Sequence, residues 1–224
     1  MVPEMKNLYL FDIDGTMVNM TKYHVAAYQN AYKAVLGIKV SKDVLVRQFG
    51  NVEEKIHEHV FSHYSIKDKS KIKSIISNYK SRIIKTFRTE KIRVLPGVKS
   101  LLARLKKEKN LLGVVTGNSK PVGEAILRKS KLKKFFSIFS YGKVLKRAGI
   151  VENAIKAAKH KSFCTVIVIG DSPFDIKAGK ANRAITVAVA TGRYSLKALK
   201  EERPDFAVRS LSDFPQNLCC TKYI

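Results

Sequence analysis

The sequence predicts an α/β protein whose parallel sheet is interrupted by an inserted set of helices. Four short apolar runs have the composition of buried strands, and they cover residues 8–11, 111–115, 165–170 and 184–190. Longer stretches of helical periodicity separate them, which is typical of a parallel sheet joined by crossover helices. The first two runs lie much farther apart than one crossover helix requires, which indicates an insertion between them.

The insertion is predicted to be helical and to span residues 19–90. Apolar residues recur through this range at the spacing of one helix face, as at Val25 and Tyr28. The remainder of the chain carries all four strand-like runs. We therefore expect a Rossmann-like core domain formed by residues 1–18 and 91–224, with residues 19–90 as a helical cap domain.

The composition indicates a globular chain with a strong positive charge. Of its 224 residues 45% are hydrophobic, and 43 Lys and Arg against 18 Asp and Glu give a net charge of +25. Such a field attracts polyanions. Without a zinc finger, ribonucleoprotein motif or basic zipper to dock it, we expect no sequence-specific nucleic-acid partner. No stretch approaches the ~20 apolar residues of a membrane span, and no secretory signal is found, so a cytoplasmic protein with no membrane contact is expected.

Three of the strand-like runs end in polar residues that can carry chemistry. The carboxyl ends of the strands of an open parallel sheet meet at the ligand site, so these residues are predicted to converge. Each motif alone could be a turn or a helix cap, but the three together favour a binding site. They read Asp12-Ile13-Asp14-Gly15-Thr16, Thr116-Gly117-Asn118 and Gly170-Asp171-Ser172-Pro173-Phe174-Asp175.

Asp12 and Asp14 raise an electrostatic problem. Alternate side chains of a strand point the same way, so the two carboxylates can converge while Ile13 packs inward. Anions held that close imply a metal ion, a proton on one of them, or a turn in which both are solvated. An EF-hand is excluded because Gly15 would be the fourth rather than the sixth loop residue, and no P-loop motif follows any strand.

The motifs closely resemble those of the haloacid dehalogenase superfamily, and the resemblance covers nearly the whole chain. That family carries a strand followed by DxDGT, a strand followed by Ser or Thr, a lysine, and a strand followed by GDxxxD. This chain has DIDGT at 12–16, a strand-like run ending in Thr116, and GDSPFD at 170–175. It is similar to the subgroup that includes phosphoglycolate phosphatase and beta-phosphoglucomutase, which implies the family's sheet core with a helical cap.

The resemblance also implies roles for the acidic residues. Asp12 would be the nucleophile that forms an aspartyl-phosphate, and Asp14 would be the acid and base that serves the leaving oxygen and the water. Mg²⁺ would be the cofactor, bound by Asp12, the backbone carbonyl of Asp14, and Asp171. Asp175 would support this metal site or brace the family's lysine.

The phosphoryl group itself would be held by other residues. Thr116 would donate its hydroxyl, and backbone amides near Gly15, Gly117 and Asn118 would stabilise the developing charge. The family's lysine is assigned to Lys146, whose spacing from the following helix is similar to the family pattern. Lys143 is a direct competitor for this role, and Arg147 is a more remote one.

The resemblance implies a Mg²⁺-dependent phosphatase that acts on a small phosphate monoester, either phosphoglycolate-like or a sugar phosphate. A small phosphorylated metabolite is therefore the expected partner. A phosphosugar mutase is the alternative, although such mutases tend to carry an arginine where this chain has Glu53 and Glu54. A phosphatase of phosphoprotein or nucleotide, or a basic nucleic-acid-binding protein on the same scaffold, are further alternatives.

The cap residues that would select the substrate are open to two interpretations. Four residues are placed to face the seam between cap and core, but ordinary packing is the favoured explanation, and they are not assigned to the site: His24, Tyr28, Arg47 and Asn51. The sequence carries no signal for an oligomeric state.

Overall fold

The computed structural model describes residues 6–142, 146–216 and 218, and at its centre is a six-stranded sheet. The strands are β1 (Asn7–Phe11), β2 (Leu111–Thr116), β3 (Ile138–Tyr141), β4 (Thr165–Gly170), β5 (Ile185–Val189) and β6 (Phe206–Val208). Neighbouring strands are parallel throughout, in the order β3-β2-β1-β4-β5-β6. The predicted α/β fold with a parallel sheet is confirmed.

Strand β1 lies inside the sheet, between β2 and β4, and is buried over its whole length. Its side chains alternate between two hydrophobic cores, with Tyr9 and Phe11 in one and Leu8 and Leu10 in the other. A parallel sheet is covered by helices on both faces, so a central strand has no side exposed to water. Burial on both faces explains why this strand is a continuous apolar run in the sequence.

Four helices lie between β1 and β2, in the range where the sequence predicts a helical insertion. They are α1 (Thr21–Leu36), α2 (Lys42–Val46), α3 (Glu53–His63) and α4 (Ile72–Thr89), the last preceded by a 3-10 turn (Lys69–Lys71). The rings of Tyr28 in α1 and Tyr79 in α4 stack in parallel with centroids 3.8 Å apart. The apolar stripes that predicted these helices therefore pack against each other.

The two connections between these helices and the sheet run side by side. The Leu95 N–H donates to the Met17 carbonyl (2.9 Å), and the Asn19 N–H donates to the Arg93 carbonyl (3.2 Å). The inserted helices therefore leave and rejoin the core at one place, just beyond the carboxyl end of β1.

The remaining helices are α5 (Val98–Lys107), α6 (Lys120–Lys129), α7 (Arg147–Ala158), α8 (Pro173–Ala181) and α9 (Leu196–Glu201). Strands β3 and β6 lie outside the four predicted runs. They are the two edge strands, with four and three residues, and are too short to show a strand pattern in the sequence. No helix in the described ranges is both long and apolar enough to cross a membrane.

His57 in α3 should make the stability of the protein sensitive to acid. Its ring is buried and its Nδ1 lies 2.7 Å from the Tyr32 hydroxyl. Burial, helped by the charge of Lys80, lowers the pKa of His57 from 6.5 to about 4. Below pH 6.5 the unfolded chain binds a proton that the folded protein does not, so stability is lost as the pH falls from 6.5 to about 4.

The full effect is on the order of 3 kcal/mol of unfolding free energy. It can be measured as the urea midpoint at pH 7 and pH 4.5 for the wild type and for His57→Gln. We expect the variant to lose less stability on acidification, whereas the exposed His63→Gln should behave like the wild type. Equal acid sensitivity of the wild type and His57→Gln would contradict this account.

Candidate active site

The carboxyl ends of β1, β2 and β4 meet at one edge of the sheet. The strand order changes direction beside β1, and open α/β sheets bind ligands at such a switch point. A cavity of about 370 Å³ opens there, between the sheet and the inserted helices. The predicted site residues that line it are Asp12, Asp14, Gly15, Thr116, Gly117, Asn118 and Asp171.

Asp12 is buried beside a guanidinium group. Arg147 Nη2 donates to Oδ1 of Asp12 and to Oδ1 of Asp175, both at 2.6 Å. Burial raises the pKa of Asp12 to about 7, although the charge of Arg147 opposes the rise. Burial alone would lower the pKa of Arg147, but the two carboxylates raise it above its ordinary value. Arg147 is therefore a permanent cation at the predicted nucleophile.

Lys146 does not occupy this position in the structure. Lys146 is exposed at the residue before α7, and Lys143 lies outside the described residues. Nη1 of Arg147 is buried beside Gly117 and has no hydrogen-bond partner within the described ranges. Gly117 lines the cavity and Arg147 does not, so this buried donor could bind a phosphoryl oxygen that reaches as far as Gly117. The role of Lys146 stays a prediction, while the geometry favours Arg147.

Asp14 is held by hydrogen bonds on both carboxylate oxygens. Its Oδ1 lies 3.1 Å from Nε2 of His24, and its Oδ2 accepts a hydrogen bond from the Asn118 amide. His24 Nδ1 lies 2.7 Å from the Tyr79 hydroxyl in α4. Burial keeps the pKa of Tyr79 well above its ordinary value. Tyr79 thus stays protonated and can donate to Nδ1, which leaves Nε2–H to point at Asp14.

Thr116 lines the cavity, and Asn118 holds its hydroxyl in place. Its Oγ1 accepts two hydrogen bonds from Asn118, one from the backbone N–H (3.2 Å) and one from the side-chain amide (3.1 Å). A hydroxyl that accepts twice keeps its own proton free to donate. Thr116 can therefore bind a phosphoryl oxygen in the way the sequence predicts.

Asp171 is enclosed by two glycines. A Cβ at Gly15 or at Gly192 would overlap the Asp171 carboxylate, so larger residues at these positions would displace it. Gly15 has a left-handed φ of 78°, which also favours glycine. Burial raises the pKa of Asp171 well above its ordinary value, and the nearby charges of Asp12 and Asp175 raise it further.

The donor set fits a divalent cation. Carboxylate oxygens of Asp12, Asp171 and Asp175 lie within 4.8 Å of one another, and Asp14 adds a fourth carboxylate nearby. Arg147 contacts only Asp12 and Asp175 among them, so negative charge remains that a hard, oxygen-binding cation would offset. Both Asp175 oxygens are already engaged, one by Arg147 and one by Ser172, which suits a bracing role.

The sequence indicates Arg147 only as a remote competitor for the family's lysine, and His24 only as one of several residues at the seam between cap and core. Arg147 directly follows Lys146, and only the start of α7 decides which of the two side chains points inward. His24 is ten residues from Asp14 along the chain, so the sequence does not indicate their contact. Its four-residue spacing from Tyr28 indicates only that the two residues share one face of α1. Among the proposed cap residues, His24, Tyr28 and Asn51 line the cavity, whereas the exposed Arg47 does not.

Comparison with known proteins identifies the family of this site. The sequence pattern of the haloacid dehalogenase-like hydrolases matches residues 9–189, a range that contains all three strand-end motifs. The chain belongs to this family. Its membership confirms the predicted family and the predicted enzyme class, a hydrolase of the haloacid dehalogenase type.

Individual relatives of this haloacid dehalogenase-like hydrolase agree with the assignment. A Clostridium perfringens protein that is provisionally named pyrophosphatase PpaX is 27% identical over 202 residues, covering 89% of this chain and 91% of its own. A structure from Haemophilus somnus, provisionally named phosphoglycolate phosphatase, has a TM-score of 0.77 at 21% identity and covers 95% of this chain and 97% of its own. A structure from Bacteroides vulgatus, provisionally named beta-phosphoglucomutase, has a TM-score of 0.75 at 21% identity, covering 94% and 86%. The two structures support the fold.

Proposed function

We propose that this hydrolase is a Mg²⁺-dependent phosphatase that cleaves small phosphate monoesters through an aspartyl-phosphate on Asp12. The observation that carries the proposal is the convergence of Asp12, Asp14 and Asp171 on one cavity beside the buried cation Arg147. The relatives with phosphatase names support the reaction class. The small phosphorylated partner and the cytoplasmic location stay predictions from the sequence.

The first step transfers the phosphoryl group to the enzyme. A carboxylate oxygen of Asp12 attacks phosphorus, the bond from phosphorus to the ester oxygen breaks, and Asp14 gives its proton to the departing alcohol. The Asp14 side chain is 27% exposed and faces the cavity, and His24 and Asn118 fix its orientation. Oriented in this way, it can reach the ester oxygen without a search over rotamers.

The second step returns Asp12 to its original state. Water attacks the phosphorus of the aspartyl-phosphate, Asp14 takes a proton from that water, and phosphate leaves as the carboxylate of Asp12 is released. Arg147, Thr116 and the amides near Gly15, Gly117 and Asn118 stabilise the charge on the phosphoryl oxygens in both steps. Nη1 of Arg147 is suited to this task because it has no hydrogen-bond partner among the described residues, so no existing hydrogen bond has to break when it binds a phosphoryl oxygen.

The residues that would hold Mg²⁺ are Asp12, the backbone carbonyl of Asp14, and Asp171. When bound, the ion would withdraw charge from the phosphoryl oxygens and offset the repulsion among the carboxylates. Asp175 supports the site by holding Arg147 and capping α8 together with Ser172.

A screen of phosphate compounds tests the proposal. We expect at least one monoester to be hydrolysed with Mg²⁺, activity to vanish with EDTA, and activity to return on addition of Mg²⁺. Asp171→Asn should raise the Mg²⁺ concentration needed for half-maximal rate by about tenfold or more, since it removes one ligand charge. The panel is phosphoglycolate, sugar phosphates, nucleoside monophosphates, pyrophosphate and phosphoserine.

Other outcomes of the screen would overturn the proposal. Isomerisation of a sugar phosphate without phosphate release would indicate the mutase. Turnover that is unaffected by EDTA would remove the metal from the mechanism. A protein that hydrolyses nothing in the panel and stays on heparin at high salt would be the basic binding protein instead.

A further inference from the structure

The inserted segment between β1 and β2 contributes an aromatic wall to the cavity. Tyr28 and Tyr79 stack at 3.8 Å, and the Phe49 ring lies 6.1 Å from that of Tyr28. All three line the cavity together with the side chain of Ile56. This wall faces the leaving-group side of the site, since Tyr79 also contacts His24, the partner of Asp14. An aromatic surface of this kind binds a ring more favourably than it binds a non-aromatic group of the same area, because stacked rings attract each other beyond the burial of apolar surface.

A carboxylate lies in the same wall. Glu53, at the start of α3, is 7% exposed and lines the cavity. Its one hydrogen-bond or ion-pair partner within the described ranges is Lys80, whose Nζ lies 3.2 Å from Oε2. Burial raises the pKa of Glu53, and Lys80 opposes the rise. Lys80 is therefore committed to Glu53, and it does not line the cavity itself.

Positive charge is confined to the rim on this side. Among the lining residues that the structure describes, the cations are Lys42 and Arg193, and both are exposed. Arg193 is already engaged, because its Nη1 donates to the Val46 carbonyl. On the wall itself, a second anion on the leaving group would thus meet the carboxylate of Glu53, whose partner Lys80 is already engaged, while the two lining cations are exposed residues.

We propose that the pocket selects phosphate monoesters whose alcohol carries a ring and a hydrogen-bond donor, and that it disfavours leaving groups with a second anion. The proposal rests on the proposed phosphatase function and specifies its substrate class. Glu53 accepts a hydrogen bond from the donor, and the ring packs on the wall formed by Tyr28, Tyr79 and Phe49. Two compounds are disfavoured by repulsion from Glu53: pyrophosphate, whose leaving group is a phosphate, and phosphoglycolate, whose leaving alcohol, glycolate, carries a carboxylate.

The test compares kcat/KM for four compounds in the presence of Mg²⁺. Nucleoside 5′-monophosphates supply a neutral alcohol with a ring and donors, glycerol phosphate a neutral alcohol without a ring, and phosphoglycolate and pyrophosphate the anionic leaving groups. We expect wild-type kcat/KM for a nucleoside monophosphate to exceed that for phosphoglycolate and pyrophosphate by about tenfold or more, with intermediate values for glycerol phosphate.

Variants of the wall residues then test whether the wall causes the preference for the nucleoside monophosphate. Glu53→Gln removes the negative charge and should reduce the ratio of nucleoside monophosphate to phosphoglycolate by at least about fivefold, mainly through KM for phosphoglycolate. Glu54→Gln, at the exposed neighbouring residue of the same helix, should leave the ratio unchanged. Tyr28→Leu keeps the wall apolar but removes a ring, so it should lower kcat/KM for the nucleoside monophosphate more than for glycerol phosphate.

Two results would overturn the inference while the phosphatase function stands. The first is that the wild-type enzyme hydrolyses phosphoglycolate or pyrophosphate as efficiently as the nucleoside monophosphate. This result can be obtained without any variant. The other is a folded Glu53→Gln enzyme with an unchanged ratio. Absence of Mg²⁺-dependent turnover of every compound in the wider screen would instead overturn the phosphatase function, and this inference with it.

Discussion

Asp12→Asn is expected to lose about 10⁴-fold or more of its turnover of any phosphate ester while the fold is retained. The amide cannot form the acyl-phosphate bond, yet it has nearly the shape of the carboxylate and can still accept the hydrogen bond from Arg147. Burial raises the pKa of Asp12 to about 7. The folded protein therefore tolerates a neutral group there, and we expect a melting temperature within a few degrees of the wild type.

The measurement is kcat with the best substrate of the screen, together with thermal unfolding followed by circular dichroism. Mass spectrometry of acid-quenched wild type should show a phosphorylated fraction that is absent from Asp12→Asn. Asp213→Asn, at an exposed carboxylate that does not line the cavity, is the matched control and should keep full activity. Turnover by Asp12→Asn within tenfold of the wild type would rule out Asp12 as the nucleophile.

Arg147→Met is expected to impair both stability and activity. It leaves Asp12 and Asp175 buried without their shared cation, and breaking a buried ion pair in this way costs about 3–5 kcal/mol of unfolding free energy. Burial raises the pKa of Asp12 to about 7. At pH 5 this carboxyl, left without Arg147, can therefore take up a proton and become neutral, whereas at pH 8 taking up that proton costs more free energy. The loss should therefore be larger at pH 8 than at pH 5.

Urea unfolding at the two pH values measures this effect, and Mg²⁺-dependent turnover measures the catalytic loss. Arg147→Lys keeps the charge and should recover part of the stability. Lys146→Met is the matched control at the neighbouring, exposed residue. If Lys146→Met removes turnover and Arg147→Met does not, the sequence prediction of Lys146 is right and the inference from the geometry is wrong.

The strands that the sequence predicts are those buried on both faces. β1, β2, β4 and β5 are apolar runs because each has neighbours on both edges and helices above and below. The edge strands β3 and β6 have one neighbour each, and their few residues include Ser140 and the exposed Phe206. A short edge strand needs few apolar residues. Its position is therefore decided by the hydrogen bonds it forms with the neighbouring strand and not by a hydrophobic pattern in the sequence.

The acidic half of the site follows from the sequence for a similar reason. Asp12, Asp14, Thr116 and Asp171 directly follow predicted strands, so the topology of a parallel sheet brings them together. The cation does not follow a strand. Its position depends on where α7 begins, and one residue of difference at a helix start decides whether Lys146 or Arg147 enters the core. Likewise, the Asp14–His24 contact depends on the docking of α1, which no local pattern specifies.

The protein has two sources of positive charge, the many surface lysines and the buried Arg147, and they differ in their chemistry because the buried cation is an arginine. Reagents that acylate amines neutralise lysines and leave guanidinium groups unchanged. They would remove much of the field that comes with the net charge of +25, but Arg147 would keep its charge next to Asp12. The attraction that brings anions to the cavity mouth and the charge that acts on the phosphoryl group are thus chemically distinct. The same enzyme can therefore be studied with its long-range field reduced and the cation at its nucleophile intact.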